Sequence, residues 1–143
     1  MRLLSLFPAL FLAVGVSSAT IFRANGTLTC HHHLPIWCFG VTMWEKDVSF
    51  ALNTDDLIAN VGVHCSNMDN VDYHIEGTQE DDGPLDTSYE VQVAIVHNCT
   101  HSDLRRATRV SKFISIEEAE VFLTWDLDVT HRGERVGEYE KAN

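Results

Sequence analysis

The feature that most constrains this chain is a two-residue alternation of apolar and polar side chains, repeated in short runs along most of its length. An extended strand turns successive side chains to opposite faces, so each such run buries one face and wets the other. Leu57, Ala59, Val61, Val63 and Cys65 share one phase, with Asn60, Gly62 and His64 opposite. Tyr89, Val91, Val93, Ile95, His97 and Cys99 form a second run, against Glu90, Gln92 and Ala94. The clearest is Val121, Leu123, Trp125, Leu127 and Val129, opposed by Thr124, Asp126 and Asp128. Each predicts a half-buried strand.

Shorter strand candidates are Phe22 to Cys30, Val41 to Lys46, Val71 to Ile75 and Thr108 to Ile116. Between them stand turn-forming segments: Asp47 to Asp56, Ser66 to Asn70, Gly77 to Asp86 and Thr100 to Arg106. Only Ile116 to Glu120 hints at a helical turn. About seven antiparallel strands spaced by turns predict an all-β fold, a β-sandwich.

The two ends read differently. Arg2, the apolar stretch from Leu3 to Val16 and the small residues Ser17-Ser18-Ala19 have the order of a secretory signal peptide, with cleavage expected after Ala19. The stretch is interrupted by Ser5 and Pro8 and falls short of the ~20 residues of a membrane span. No transmembrane segment is expected. Residues 20–129 then hold one domain, and Thr130 to Asn143 reads as a polar C-terminal tail that stays mobile. The formal net charge of −11 becomes −12 without Arg2. So acidic a chain is not steered toward nucleic acid or anionic lipid. The basic segment Arg105-Arg106, Arg109 and Lys112 reads as a solvated loop and strand edge.

Cys30, Cys38, Cys65 and Cys99 in a secreted chain predict an oxidising compartment and two disulfides. Four cysteines allow three pairings, and none of the spacings is that of a zinc ribbon. Cys30, Cys65 and Cys99 lie in phase with the apolar residues of their runs, so all three are expected to point inward. A hairpin closed at Asp47 and Leu57 would bring Cys38 beside Cys65, which favours Cys38–Cys65 and leaves Cys30–Cys99. Asn25-Gly26-Thr27 and Asn98-Cys99-Thr100 are glycosylation sequons, with Asn25 and Asn98 the acceptors.

Several segments together resemble the transthyretin-like family of secreted nematode proteins: Gly26-Thr27-Leu28-Thr29-Cys30, Leu34-Pro35, Gly40 to Asp47, Asp55 to Ala59, Val96-His97-Asn98-Cys99, and Trp125 to Val129 followed by Gly133-Glu134. The resemblance implies a prealbumin-like sandwich, residence outside the cell or at its surface, and a binding role. Cys38 and Cys65 stand where that family's pattern has other residue types, and Thr100 to Arg109 lacks the cysteine that usually follows. The resemblance therefore implies a rewired disulfide framework. A sister group of hydroxyisourate-opening hydrolases carries a tyrosine-arginine-glycine-serine C-terminus, whereas this chain reads Glu140-Lys141-Ala142-Asn143.

The remaining constellations are weaker. His31-His32-His33, with His97 and His101, forms a candidate metal-ligand set, since imidazole suits zinc and copper. Successive residues of an extended chain point apart, however, so the run cannot converge on one ion without a turn. His97, in phase with the core, reads as a half-buried histidine. Asp55-Asp56 and Glu80-Asp81-Asp82 lack the alternating oxygen ligands of a calcium loop and read as solvated turns. No serine sits in a nucleophile-elbow motif, and the cysteines are expected in disulfides, so no catalytic residue is expected. Trp125 belongs to the core phase. Trp44 lies opposite Val41 and Met43 and is the candidate anchor of a binding surface. The expectation is an extracellular binding protein without cofactor, its partner an extracellular protein or a small apolar or lipid ligand. The alternatives are a carrier of such a ligand, a hydrolase of the sister group and a histidine-based metal binder.

Overall fold

A computed structural model of the chain describes residues 19–32, 34–46, 55–80 and 87–137. The expected signal peptide up to residue 18, His33, most of the Asp47 to Asp56 turn, residues 81–86 with Asp81-Asp82, and the last six residues lie outside them. The described residues are all β, in two sheets that pack as a sandwich. Nine strands are present among them rather than about seven: β1 (Thr20–Thr29), β2 (Trp37–Glu45), β3 (Asp56–Ser66), β4 (Asn70–Gln79), β5 (Ser88–His97), β6 (Arg105–Ser115), β7 (Glu120–Thr124), β8 (Leu127–Asp128) and β9 (Glu134–Arg135). Where the sequence hints at a helical turn, Ile116 to Glu120, the chain makes a turn between β6 and β7 and enters β7 at Glu120. No described helix is long and apolar enough to cross a membrane.

The smaller sheet is built on β1, which pairs with β4 on one side and with β7 and β8 on the other. The larger sheet runs β3-β2-β5-β6-β9. Neighbours are antiparallel except that β7 and β8 run parallel to β1. A parallel pair needs a crossover, and here the chain supplies one by leaving the far side of the larger sheet after β6 and landing on the smaller. Gly26 lets the β7–β8 segment cross close to β1: a Cβ there would stand 2.1 Å from the Trp125 carbonyl oxygen. At that point the Asp126 carboxylate, not a backbone carbonyl, accepts the Thr27 amide at 2.8 Å.

The core lies between the sheets. Phe22, Ala24 and Leu28 of β1 face Val41 and Met43 of β2 and Val91, Val93 and Ile95 of β5, all of them at most 4% exposed. The Phe22 and Tyr89 rings meet edge to face at 5.2 Å, an orientation that the ring quadrupoles favour. The alternation of β5 and of the β7–β8 segment is realised residue by residue, with Phe122, Thr124, Asp126 and Asp128 exposed between the inward side chains.

Three expectations are corrected. Cys65 does not point inward: it is exposed, as are Leu57 and Val63. The cause is a pair of register irregularities against β2: the first adds Ile58 as an inward side chain and turns Leu57 out, and the second, at Gly62, leaves Ala59 and Val61 against the core but reverses the phase of Val63 and Cys65. Gly62, at φ 72°, forms the second irregularity, and its amide donates to Asn60 Oδ1 at 2.8 Å. A bulge adds one residue to a strand and so reverses which face its neighbours take. The second correction concerns the tail. Residues 130–137 belong to the domain, because β9 pairs with β6 and Val136 is 4% exposed. The third is that the antiparallel expectation fails at β7 and β8, for the crossover reason given above.

Candidate functional site

Two places combine accessible side chains with a shaped surface. The first is the outer face of the larger sheet. Its middle is floored by Gly40 and Thr42 of β2 and Ala94 of β5, whose small side chains leave a shallow cleft of about 600 Å³. Trp44, Val63, Val96 and Leu104 give its walls an apolar surface, and Lys46 and Arg106 lie at its margins. Val63 is 77% exposed. Trp44 is half-buried on this outer face, where its alternation with Val41 and Met43 puts it.

The outer face of the smaller sheet is different. Its polar groups are already occupied by one another: Thr27 donates to Asp72, Thr29 to Asn70, and Arg23 bridges Glu76 and Glu120. The Arg23 guanidinium, hydrogen-bonded to both carboxylates, has its pKa raised further above its ordinary value. Asn25 is exposed on this face, while Asn98 is half-buried and its Oδ1 accepts the Cys38 amide at 2.7 Å.

The second place is one end of the sandwich, around the Cys30–Cys99 disulfide. His32 lies two residues beyond Cys30, and His101 two beyond Cys99. The amide of His131 donates to the Cys99 carbonyl at 3.0 Å, and that of His31 to Thr130 Oγ1 at 2.9 Å. Three loops are thus tied into one surface, and His32, His101 and His131 meet on it. Each offers a ring nitrogen, and the three nitrogens lie within 4.8 Å of one another. His32 Nε2 stands 3.2 Å from His101 Nδ1. The ring centroids are 4.9, 5.0 and 4.6 Å apart, the His101 and His131 rings being stacked. His32 is half-buried and the other two are exposed.

The other histidine candidates are elsewhere. His31 is exposed and its side chain is not in the cluster. His97 is 1% exposed in the core, where its Nε2 donates to the Arg132 carbonyl at 3.1 Å. Burial pushes its pKa below the ordinary histidine value, against the smaller opposite effect of that hydrogen bond. His131 was missed from the sequence: it sits in what reads as a polar tail, at φ 55° in a turn, and no local pattern ties it to His32. Of the acidic candidates, Asp55 pairs with Lys46 and Asp56 accepts from Gln79 at 3.4 Å. The basic segment does not form one patch: Arg109 donates to the Thr124 carbonyl, Arg105 to that of Gly133, and Lys112 faces Glu90.

Comparison with known proteins gives a family without an assigned activity. An uncharacterized protein of Caenorhabditis elegans is 37% identical over 92 residues, which is 64% of this chain and 65% of that relative. The match thus spans slightly less than two thirds of the relative's length. Among solved structures, an alternative pilotin from the type II secretion system of Vibrio cholerae is 18% identical with a TM-score of 0.39, over 75% of this chain and 96% of that one. A likeness that slight bears on neither fold nor function. The resemblance to the transthyretin-like family is overturned by the family match. Its short segments are pieces of strands and the turns beside them, and such local β grammar recurs in unrelated sandwiches. A family model matches residues 25–138, nearly the whole of the domain, and the chain belongs to the family described as Caenorhabditis elegans protein of unknown function (DUF870).

Proposed function

We propose that this chain is a secreted binding domain without catalysis of its own, which holds an extended segment of another extracellular protein against the outer face of its larger sheet. The observation that carries this reading is the contrast between the two outer faces. On one, Thr27, Thr29 and Arg23 are engaged by neighbouring side chains, and the exposed apolar ring, Phe122, lies under the Arg23 guanidinium. The other presents Trp44, Val63 and Val96 around a floor of small residues. The cleft mixes these apolar side chains with Lys46, Asp55, Asn60, Gln92 and Arg106, and an aromatic anchor among apolar and polar groups is a usual composition for a protein contact. The small residues Gly40, Thr42 and Ala94 leave room for the backbone of an extended segment laid on the sheet.

The disulfides support the extracellular part of the reading, because such bonds persist in oxidising compartments. A carrier of an enclosed apolar ligand is less well supported. The space beside Ala24, Tyr73, Val93 and Trp125 is about 150 Å³, below the roughly 300–1,000 Å³ of ordinary ligand pockets, and the space of about 310 Å³ beside Phe39, Val61 and Val71 is bordered by the exposed side chains of His64, Met68 and His74, so it is a surface cleft and does not enclose a ligand.

The test places a photo-crosslinking residue at Val63 and, as control, at Asn25 on the opposite face, and exposes each to extracellular fluid of the source animal. A partner crosslinked from Val63 alone is then purified and its affinity measured. Val63→Glu should weaken it at least tenfold, and Thr27→Ala should leave it unchanged. Equal binding by Val63→Glu, or capture of lipid in place of protein, would overturn the reading.

A further inference from the structure

We propose that His32, His101 and His131 form a binding site for a divalent transition-metal ion of the zinc and copper(II) class. The donor set decides the class. Three imidazole nitrogens with no carboxylate among them suit zinc and copper, whereas calcium and magnesium require oxygen ligands.

Geometry agrees with the chemistry. Nitrogens held about 2.0–2.1 Å from a tetrahedral zinc ion stand about 3.3 Å from one another. His32 Nε2 and His101 Nδ1 are already 3.2 Å apart, and the whole set lies within 4.8 Å. Rotation of the exposed His131 ring, which ends a short turn, is the adjustment needed. Three protein nitrogens leave a fourth tetrahedral position, which would face solvent and take a water or a donor from a partner.

The cluster is also held by construction. The buried Cys30–Cys99 bond fixes the loops of His32 and His101 relative to each other. The His131 amide bond to the Cys99 carbonyl places the third loop against the same disulfide. Neighbouring histidines in one run, such as His31 and His32, would bind a metal weakly and without a fold. Three from positions scattered over 99 residues and tied by a disulfide form a site that exists only in the folded chain.

The full chain, secreted with both disulfides and purified without a polyhistidine tag, is stripped with chelator and titrated separately with Zn²⁺, Cu²⁺, Mg²⁺ and Ca²⁺ against a chromophoric competitor. One equivalent of Zn²⁺ or Cu²⁺ should bind, and neither Mg²⁺ nor Ca²⁺. His32→Ala, His101→Ala and His131→Asn should each weaken it at least tenfold, Asn being chosen because it tolerates the left-handed backbone at position 131. His31→Ala and His64→Ala should stay within threefold of the parent. Near-ultraviolet circular dichroism checks the fold of each variant, and the Cu²⁺ electron paramagnetic resonance spectrum of the parent should show three nitrogen ligands. Absence of binding by the parent would overturn the proposal. So would undiminished binding by His131→Asn, or equal loss in His31→Ala, since either places the metal on the consecutive histidines alone.

Discussion

The two disulfides do different work, and their difference explains how the molecule is divided. Cys30–Cys99 joins the end of β1 in the smaller sheet to the end of β5 in the larger, with its sulfurs in the core: Cys30 is 1% and Cys99 0% exposed. Cys38–Cys65 joins directly opposed residues of β2 and β3 within one sheet, and Cys65 is exposed on the outer side. The first fixes how the sheets sit and thereby gathers the histidine end. The second fixes the register of one hairpin, whose far strand is the one with two irregularities and an open outer face. A core crosslink assembles a site from distant loops; a surface crosslink pins a strand that alternation alone would leave free to slip.

The largest effect expected from this comparison is on stability. The bonds span 69 and 27 residues, and restricting the unfolded chain makes loops of those lengths worth about 4.4 and about 3.6 kcal/mol. Cys30→Ala with Cys99→Ala also empties a buried position, so its loss should be the larger by more than the loop difference. Urea unfolding of the two double variants measures this. The comparison breaks if the Cys38→Ala, Cys65→Ala variant is the less stable.

Reduction of the native protein sharpens it further. Thiolate attack needs access to a sulfur, so timed alkylation after mild reductant should label Cys38 and Cys65 well before Cys30 and Cys99. Peptide mapping by mass reads the order, and simultaneous labelling would show that the sheets part as easily as the hairpin opens.

The smallest effect is that of pH near the buried bridge. His97 has a folded pKa lowered by burial from its ordinary 6.5, and its buried Nδ1 has no hydrogen-bond partner among the described residues. Between the lowered value and 6.5 the unfolded chain binds the proton and the folded one does not, so stability is full above pH 6.5 and falls as the pH drops below it. The urea midpoint should be lower at pH 5.5 than at pH 7.5, and His97→Gln should reduce that difference.

Much of the fold was legible because its cause is local. Along β5 and from β7 to β8 each inward side chain could be named from period-2 spacing, and these strands carry the centre of the core. The same rule failed on β3. There Gly62 and the irregularity at Ile58 move the chain to the other phase, and a bulge depends on the partner strand as much as on the sequence that forms it. The outer cleft was half legible. Trp44 could be assigned to the outer face, whereas the exposure of Val63 could not.

The sequence by itself therefore determined the all-β class, the faces of the unbroken strands and the supply of cysteines and histidines, because each depends on residue type and near-neighbour spacing. The tertiary structure alone decided that β7 and β8 return parallel to β1, that Cys65 faces out, and that His131 comes to His32 and His101. Those outcomes depend on which distant backbones meet, and alternation carries no information about partners ninety-nine residues away.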